Sequence, residues 1–257
     1  MNVTLRPAWL GLLVLSTLVS ISGAPAVAAA PEMAPPSLAV MYFDYTGKNT
    51  DLEVLKKGLA QMLISDLEPR ADNCVIVERE RLEDIMKELE LGQSKKVDPA
   101  TAAKVGKLMG ARYMVLGSFF DLFGQFRVDG RVIDVETGAI LGSVGKTGKA
   151  DDFLALEQAL ADGLAAILKE KAKPVPLTAK KKKRKASKKK PKKRKKRKAK
   201  AGAKPVKIKA ATVLEYSKAL DAKDRGDKEA AAKHLKAVVQ KQPDFEAAAM
   251  DLDSLVQ

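Results

Sequence analysis

The stretch ARYMVLGSFFDLFGQFRVDGRVIDVETGAILGSVGKTG, residues 111–148, decides the fold. Its first part, through Phe123, is a mainly apolar run that reads as a strand. From Gln125 onward the residues alternate, break at Glu136-Thr137-Gly138 and alternate again, which is the pattern of a hairpin. Upstream, LAVMYF (Leu38 to Phe43) follows a Pro-rich spacer and reads as a buried strand. Leu52, Leu55, Leu59, Met62, Leu63 and Leu67 then form a helical stripe that Pro69 should end. CVIVE (Cys74 to Glu78) is a second strand. RERLEDIMKELEL puts Leu82, Ile85, Met86 and Leu89 on one helical face, with Gly92 as its stop. Asp98 is the expected N-cap of a further helix, with Pro99 in the first position and Gly110 at the end. Downstream, Phe153, Leu156, Leu160, Leu164, Ile167 and Leu168 recur at helical spacing. The order β-α-β-α-α-β-β-β-α predicts an α/β domain over residues 37–171. Its helices alternate with strands at first, and a hairpin closes a mixed sheet.

Charge divides the 257 residues unevenly. Of 47 Lys and Arg, 20 fall between Lys180 and Lys209, where no Asp or Glu occurs. The remaining 27 face 32 acidic residues, so a mildly acidic body carries a basic strap, and only the strap calls for a polyanionic partner. One cysteine, Cys74, excludes an internal disulfide, and one histidine, His234, excludes a multi-His metal site. No cofactor is implied.

The amino end has one cation (Arg6), an apolar stretch from Trp9 to Ile21, and small residues at Ala26, Ala28 and Ala30. That is the layout of a cleavable secretory signal over residues 1–30; a membrane-spanning helix needs about 20 apolar residues. No cysteine precedes Cys74, so a lipid anchor at the cleavage site is not expected and the mature chain should be periplasmic. Residues 172–209 have Pro and Lys and almost nothing apolar, and should be a disordered linker. Residues 210–257 regain helical periodicity, with a turn at Arg225-Gly226-Asp227 and a break at Pro243.

Two resemblances follow from these stretches. LAVMYFDYTG, LKKGLAQMLISDL, VIVERERLEDIMKEL, GARYMVLGSF and VDGRVIDVETGAIL, taken in order, resemble the domain of curli-secretion (CsgG-type) proteins and TolB amino-terminal-like domains. The resemblance implies a soluble envelope core concerned with secretion, assembly and protein contacts. Curli-type channel subunits carry a lipidated cysteine and long barrel-forming hairpins, and GSFFDLFGQFRVDG is too short for such a hairpin. Within GDKEAAAKHLKAVVQKQP, Gly226, Ala231, Leu235, Val238 and Pro243 are spaced as in a tetratricopeptide repeat, although Glu215 and Lys218 depart from it. A plain helical hairpin is the other reading of the same residues.

Chemistry is sparse. Gly145-Lys146-Thr147 ends like a phosphate-binding loop, but Ile140 stands where that motif needs glycine, and the triplet falls near the end of a returning strand. Glu78, Glu80 and Glu83 read as helix-start or solvated charges. Asp44, Gly47 and Asn49 read as an ordinary turn, and His234, flanked by Lys233 and Lys236, as a solvated residue. The candidate binding residues are therefore the tract cations Lys180, Lys181, Lys182, Lys183, Arg184, Lys185, Lys188, Lys189, Lys190, Lys192, Lys193, Arg194, Lys195, Lys196, Arg197 and Lys198. Near a membrane surface each contributes about 1 kcal/mol. The expected partners are other envelope proteins and, through the tract, an anionic membrane surface or acidic polysaccharide; oligomers are compatible with the sequence. The rival reading is non-specific nucleic-acid binding, which the absence of interleaved aromatics and the signal sequence disfavour. The sequence as a whole reads as a non-enzymatic envelope component.

Overall fold

The computed structural model describes residues 33–89, 99–176 and 207–256. In chain order these residues form β1 (Met33–Ala34), β2 (Ser37–Val40), β3 (Asp44–Tyr45), α1 (Leu55–Arg70), β4 (Val75–Ile76), α2 (Arg79–Glu88), α3 (Pro99–Met109), β5 (Tyr113–Leu122), β6 (Gln125–Asp134), β7 (Ile140–Lys149), α4 (Phe153–Lys171), β8 (Val175–Pro176), α5 (Ala210–Asp224), α6 (Lys228–Lys241) and α7 (Glu246–Val256). The expected α/β class with a mixed sheet is what forms. The six-stranded sheet has the order β4-β2-β5-β6-β7, with β3 also on β5. Its β2 pairs are parallel, and the β5-β6-β7 pairs are antiparallel. Asp134 organises the β6–β7 turn: its Oδ1 accepts from the amides of Glu136 (2.9 Å) and Thr137 (3.1 Å), and Arg112 clamps it at 2.7 Å.

Helices cover both faces. In α4, Leu160 and Leu164 pack over Gly130, which pairs with Gly117. On the opposite face Met114 meets Gly106 of α3. The core runs through Leu38, Val40, Leu59, Leu63, Val115, Phe119, Val132, Leu160 and Leu164, all essentially buried.

Two expectations fail locally. The strand expected from Leu38 to Phe43 breaks after Val40 and resumes as β3. Phe43 seats in the hollow left by Gly117, where a Cβ would lie 2.1 Å from its ring, and the backbone swings to place it there. Pro69 does not stop α1, which runs to Arg70. Proline removes a single donor, and the Ala71 amide still closes the last turn on the Leu67 carbonyl at 2.7 Å.

The described residues on either side of 177–206 are both held to the α/β core. β8 pairs with β1, ahead of the amino end of β2. Ile208 accepts from the Leu154 amide at 3.3 Å, and Lys207 and Lys209 pair with Asp152 and Asp151 at 3.4 and 3.3 Å. The chain thus departs beyond the carboxy end of α4 and re-enters at its amino end. The two ends of this 19-residue helix lie about 28 Å apart. From Ile208 the chain continues into α5, which lies along α1.

Candidate interaction site

The contact of α1 with α5 is where charge is concentrated inside the protein. Gly58 permits it: a Cβ there would fall 2.1 Å from Ser217 Oγ. Ser217 turns its hydroxyl back to the Val213 carbonyl at 2.7 Å, leaving no polar atom idle at the crossing. Beside Gly58, Lys57 is fully buried, and its Nζ donates to Asp221 (2.9 Å) and Asp224 (2.8 Å) and lies 3.7 Å from Glu83. Arg79, the first residue of α2 and 1% exposed, forks onto both oxygens of Asp224 at 2.7 and 2.8 Å. Its Nη1 also reaches Tyr42 Oη at 3.1 Å, and the Tyr42 hydroxyl donates to Glu83. Lys87 donates to the Asp224 carbonyl at 2.8 Å. At the rim Lys223 pairs with Glu80 and Asp251, each at 3.3 Å.

Burial alone would raise the Asp224 carboxyl, but bonds and charge from Arg79 and Lys57 outweigh it and hold it below the usual range. Burial, and then the Glu83 carboxylate, push the Tyr42 phenol far up, so it stays neutral and acts as a donor. The cluster is a clasp. Two cations of the α/β core are closed by two aspartates from the last turns of α5, and bidentate geometry makes the Arg79–Asp224 pair the strongest link.

A second contact of α1, with α4, is built otherwise. Arg70 bridges Asp162 (2.7 Å) and Asp66 (3.2 Å). Glu157 beneath them is 0% exposed, and neither oxygen receives a bond from a donor. Burial first, then the Asp66 carboxylate, push its carboxyl well above the usual range, with Arg70 only partly opposing. The protonated acid is the favoured form there.

The residues singled out for repeat packing are arranged as follows. Gly226 has φ +81°, the left-handed turn between α5 and α6 that glycine favours. Asp227 caps α6 by accepting from the Ala230 amide at 2.9 Å. Ala231, Leu235 and Val238 are buried between helices, and Pro243 is exposed in the α6–α7 connection. Tyr216 stacks edge-on against Phe245 (4.9 Å between centroids) and donates to Asp251 at 2.6 Å.

Other expectations need correction. Glu83 is not a solvated helix-start charge but part of the buried clasp. His234 is half-buried and bonded to Glu215 at 2.7 Å, because the Glu215 position that departs from the repeat pattern faces it across the α5–α6 pair. Asn49 does build a turn, accepting from the Asp51 amide at 3.1 Å. Gly145-Lys146-Thr147 lies inside β7, paired along β6. Cys74 is half-buried, and burial pushes its thiol up to about 11, so it is a weak nucleophile. Among the described residues no group of three or more His, Cys, Asp or Glu is placed to hold a metal, and no helix is long and apolar enough to cross a membrane. Gly92, Asp98, the amino-terminal segment and the tract cations from Lys180 to Lys198 lie outside the described residues.

Comparison with known proteins bears on the first part of the chain. Residues 23–122 match the sequence model of a family described as the curli production assembly/transport component CsgG. No curated protein matches the chain. Among solved structures, the LpoB C-terminal domain from Escherichia coli is 17% identical, with 48% of this chain and 89% of that one covered and a TM-score of 0.36. The PelC dodecamer from Paraburkholderia phytofirmans is 14% identical over 54% of this chain and 91% of that one, with a TM-score of 0.35. TolB from Acinetobacter baumannii is 15% identical over 56% and 30%, with a TM-score of 0.32. The chain is similar to a curli assembly and transport component over residues 23–122.

Proposed function

We propose that this is a non-enzymatic exported envelope protein that works in assembly through protein contacts, with its basic tract resting on an anionic envelope surface. The observation that carries the reading is the match of residues 23–122 to the curli assembly and transport family. The signal-like layout of residues 1–30 supports export. The tract supports adhesion, since its cations lie between two segments, β8 and Ile208, held on the same body. The α5–α7 segment, which shares features of a tetratricopeptide repeat, is the element that offers a helical surface to partners.

Expression in a Gram-negative host with a carboxy-terminal tag, followed by fractionation and intact mass, tests the proposal. The expected protein lacks the residues up to Ala28 or Ala30, is recovered from the envelope fraction, and leaves membranes as salt is raised. A full-length mass in the cytoplasm, co-purifying with nuclease-sensitive material, would establish nucleic-acid binding instead.

A further inference from the structure

We propose that the α1–α2 face of one copy accepts α5 from another, so that the α5–α7 arm exchanges between chains. Asp221 and Asp224 of one copy would then close on Lys57 and Arg79 of the next. The inference does not depend on whether the basic tract adheres to a surface.

Three observations carry it. First, the face is incomplete without the arm. Lys57 and Arg79 are buried cations whose core carboxylates stand off at 3.7 Å (Glu83) and 4.0 Å (Glu80), while the closer Asp221 and Asp224 come from beyond the tract. Second, the structure shows what ligand the face takes. It takes a helix with aspartates one turn apart, at 221 and 224, and a small residue, Ser217, over Gly58. Every other copy of this chain carries that helix. Third, the covalent path permits both arrangements. Residues 172–207, which run from the end of α4 to Ile208 at its start, number 36 and extend to about 120 Å at most, against the roughly 28 Å length of α4.

Docking within a chain and docking between chains make the same contacts and differ only in the tether. A short tether supplies an effective concentration in the millimolar range. A dilute protein therefore keeps its own arm, and exchange grows as copies are brought together. This is domain exchange with the polar clasp as its register.

The test uses two full-length chains, both carrying Cys74→Ser, one with Gly58→Cys and the other with Ser217→Cys. The ideal Cβ at 58 lies 3.3 Å from Ser217 Cβ, close to the separation a disulfide bridges. Mixed under mild oxidation, they should yield a cross-linked heterodimer that rises in proportion to protein concentration. Adding Asp224→Ala to the Ser217→Cys chain should abolish it. If the two substitutions cross-link within one chain, yet the mixture stays uncross-linked at every concentration, exchange does not occur and the proposal falls. Because the substitution at Gly58 crowds a chain's own Ser217, a second chain keeps both residues and loses residues 172–206. The single residue left between Lys171 and Ile208 spans about 7 Å, too little to reach from one end of α4 to the other. Light scattering should find this chain dimeric or larger, and a monomer would overturn the proposal.

Discussion

Against α5, helix α1 offers Lys57 to two carboxylates, with Arg79 of α2 sharing the load; against α4, nine residues further on, it offers Asp66 to a carboxyl that no donor reaches. Both contacts bury titratable groups on one helix, yet they respond to protons in opposite senses. The Asp224 carboxyl is depressed, so the stability it gives is present above the ordinary aspartate value near about 3.9 and is lost as pH falls through its lower folded value. The Glu157 carboxyl is raised, so its contribution is fully present below the ordinary glutamate value near about 4.3 and is lost as pH rises through its folded value. The difference teaches that burial alone does not decide the sign. A buried carboxylate with an arginine fork is a fastening, and a buried carboxyl without a donor is a liability held off by its proton.

Removing one side of the fastening should have the largest effect. Asp224→Ala leaves Arg79 and Lys57 buried with too few acceptors, and should cost about 3–5 kcal/mol in urea unfolding. The loss should be accompanied by faster amide exchange in α5–α7 than in the sheet. If α5–α7 keeps its protection in that variant, apolar packing rather than charge holds the arm. The liability predicts a smaller change of opposite sign. Glu157→Gln should raise stability at pH 7, because the raised carboxyl loses its contribution as pH climbs through its folded value. The gain should vanish near pH 4, where the native carboxyl is protonated in both states. The native protein's melting temperature should accordingly rise as pH is lowered from 7, pass a maximum and fall below about pH 4. A melting temperature that declines steadily from pH 7 downward would contradict the assignment to Glu157.

The smallest effect lies away from α1 and serves as its control. Phe123, at the tip of the β5–β6 hairpin, is 96% exposed at φ +50°, a backbone region unfavourable for a bulky side chain. Phe123→Asn removes strain and no packing, and should stabilise by about 0.5–1 kcal/mol with no pH dependence. A gain that varied between pH 4 and 7 would show that the hairpin tip is coupled to one of the two carboxyl sites.

Much of the architecture was readable from periodicity. The stripes through Leu59 and Leu63, Leu82 and Ile85, and Leu160 and Leu164 are core, and the Glu136-Thr137-Gly138 turn joins the two strands it was expected to join. The clasp was not readable, and the reason is α1 itself. Lys56 and Lys57 look like the start of a solvent face, but α1 is covered by the sheet, by α4 and by α5, so its first turns have almost no exposed side. The compensating acids lie more than 160 residues away in sequence, and no local pattern links them. A faint signal was present in Gly58, since a glycine inside a helix costs about 1 kcal/mol and generally marks a close approach. The aspartates one turn apart at 221 and 224 are another, legible only once α5 is known to lie against α1. Glu157 sat unnoticed at a position of the α4 stripe that periodicity assigns to the interior, between Leu156 and Leu160.

The attachment of the basic tract at the two ends of α4 has a mechanical side. A load applied to a body through one point leaves it free to pivot, whereas a load shared between two separate points resists pivoting about either. A pull on residues 177–206 strong enough to draw both sides taut would therefore reach the body at β8 and at Ile208 together, and would act as a yoke rather than a leash.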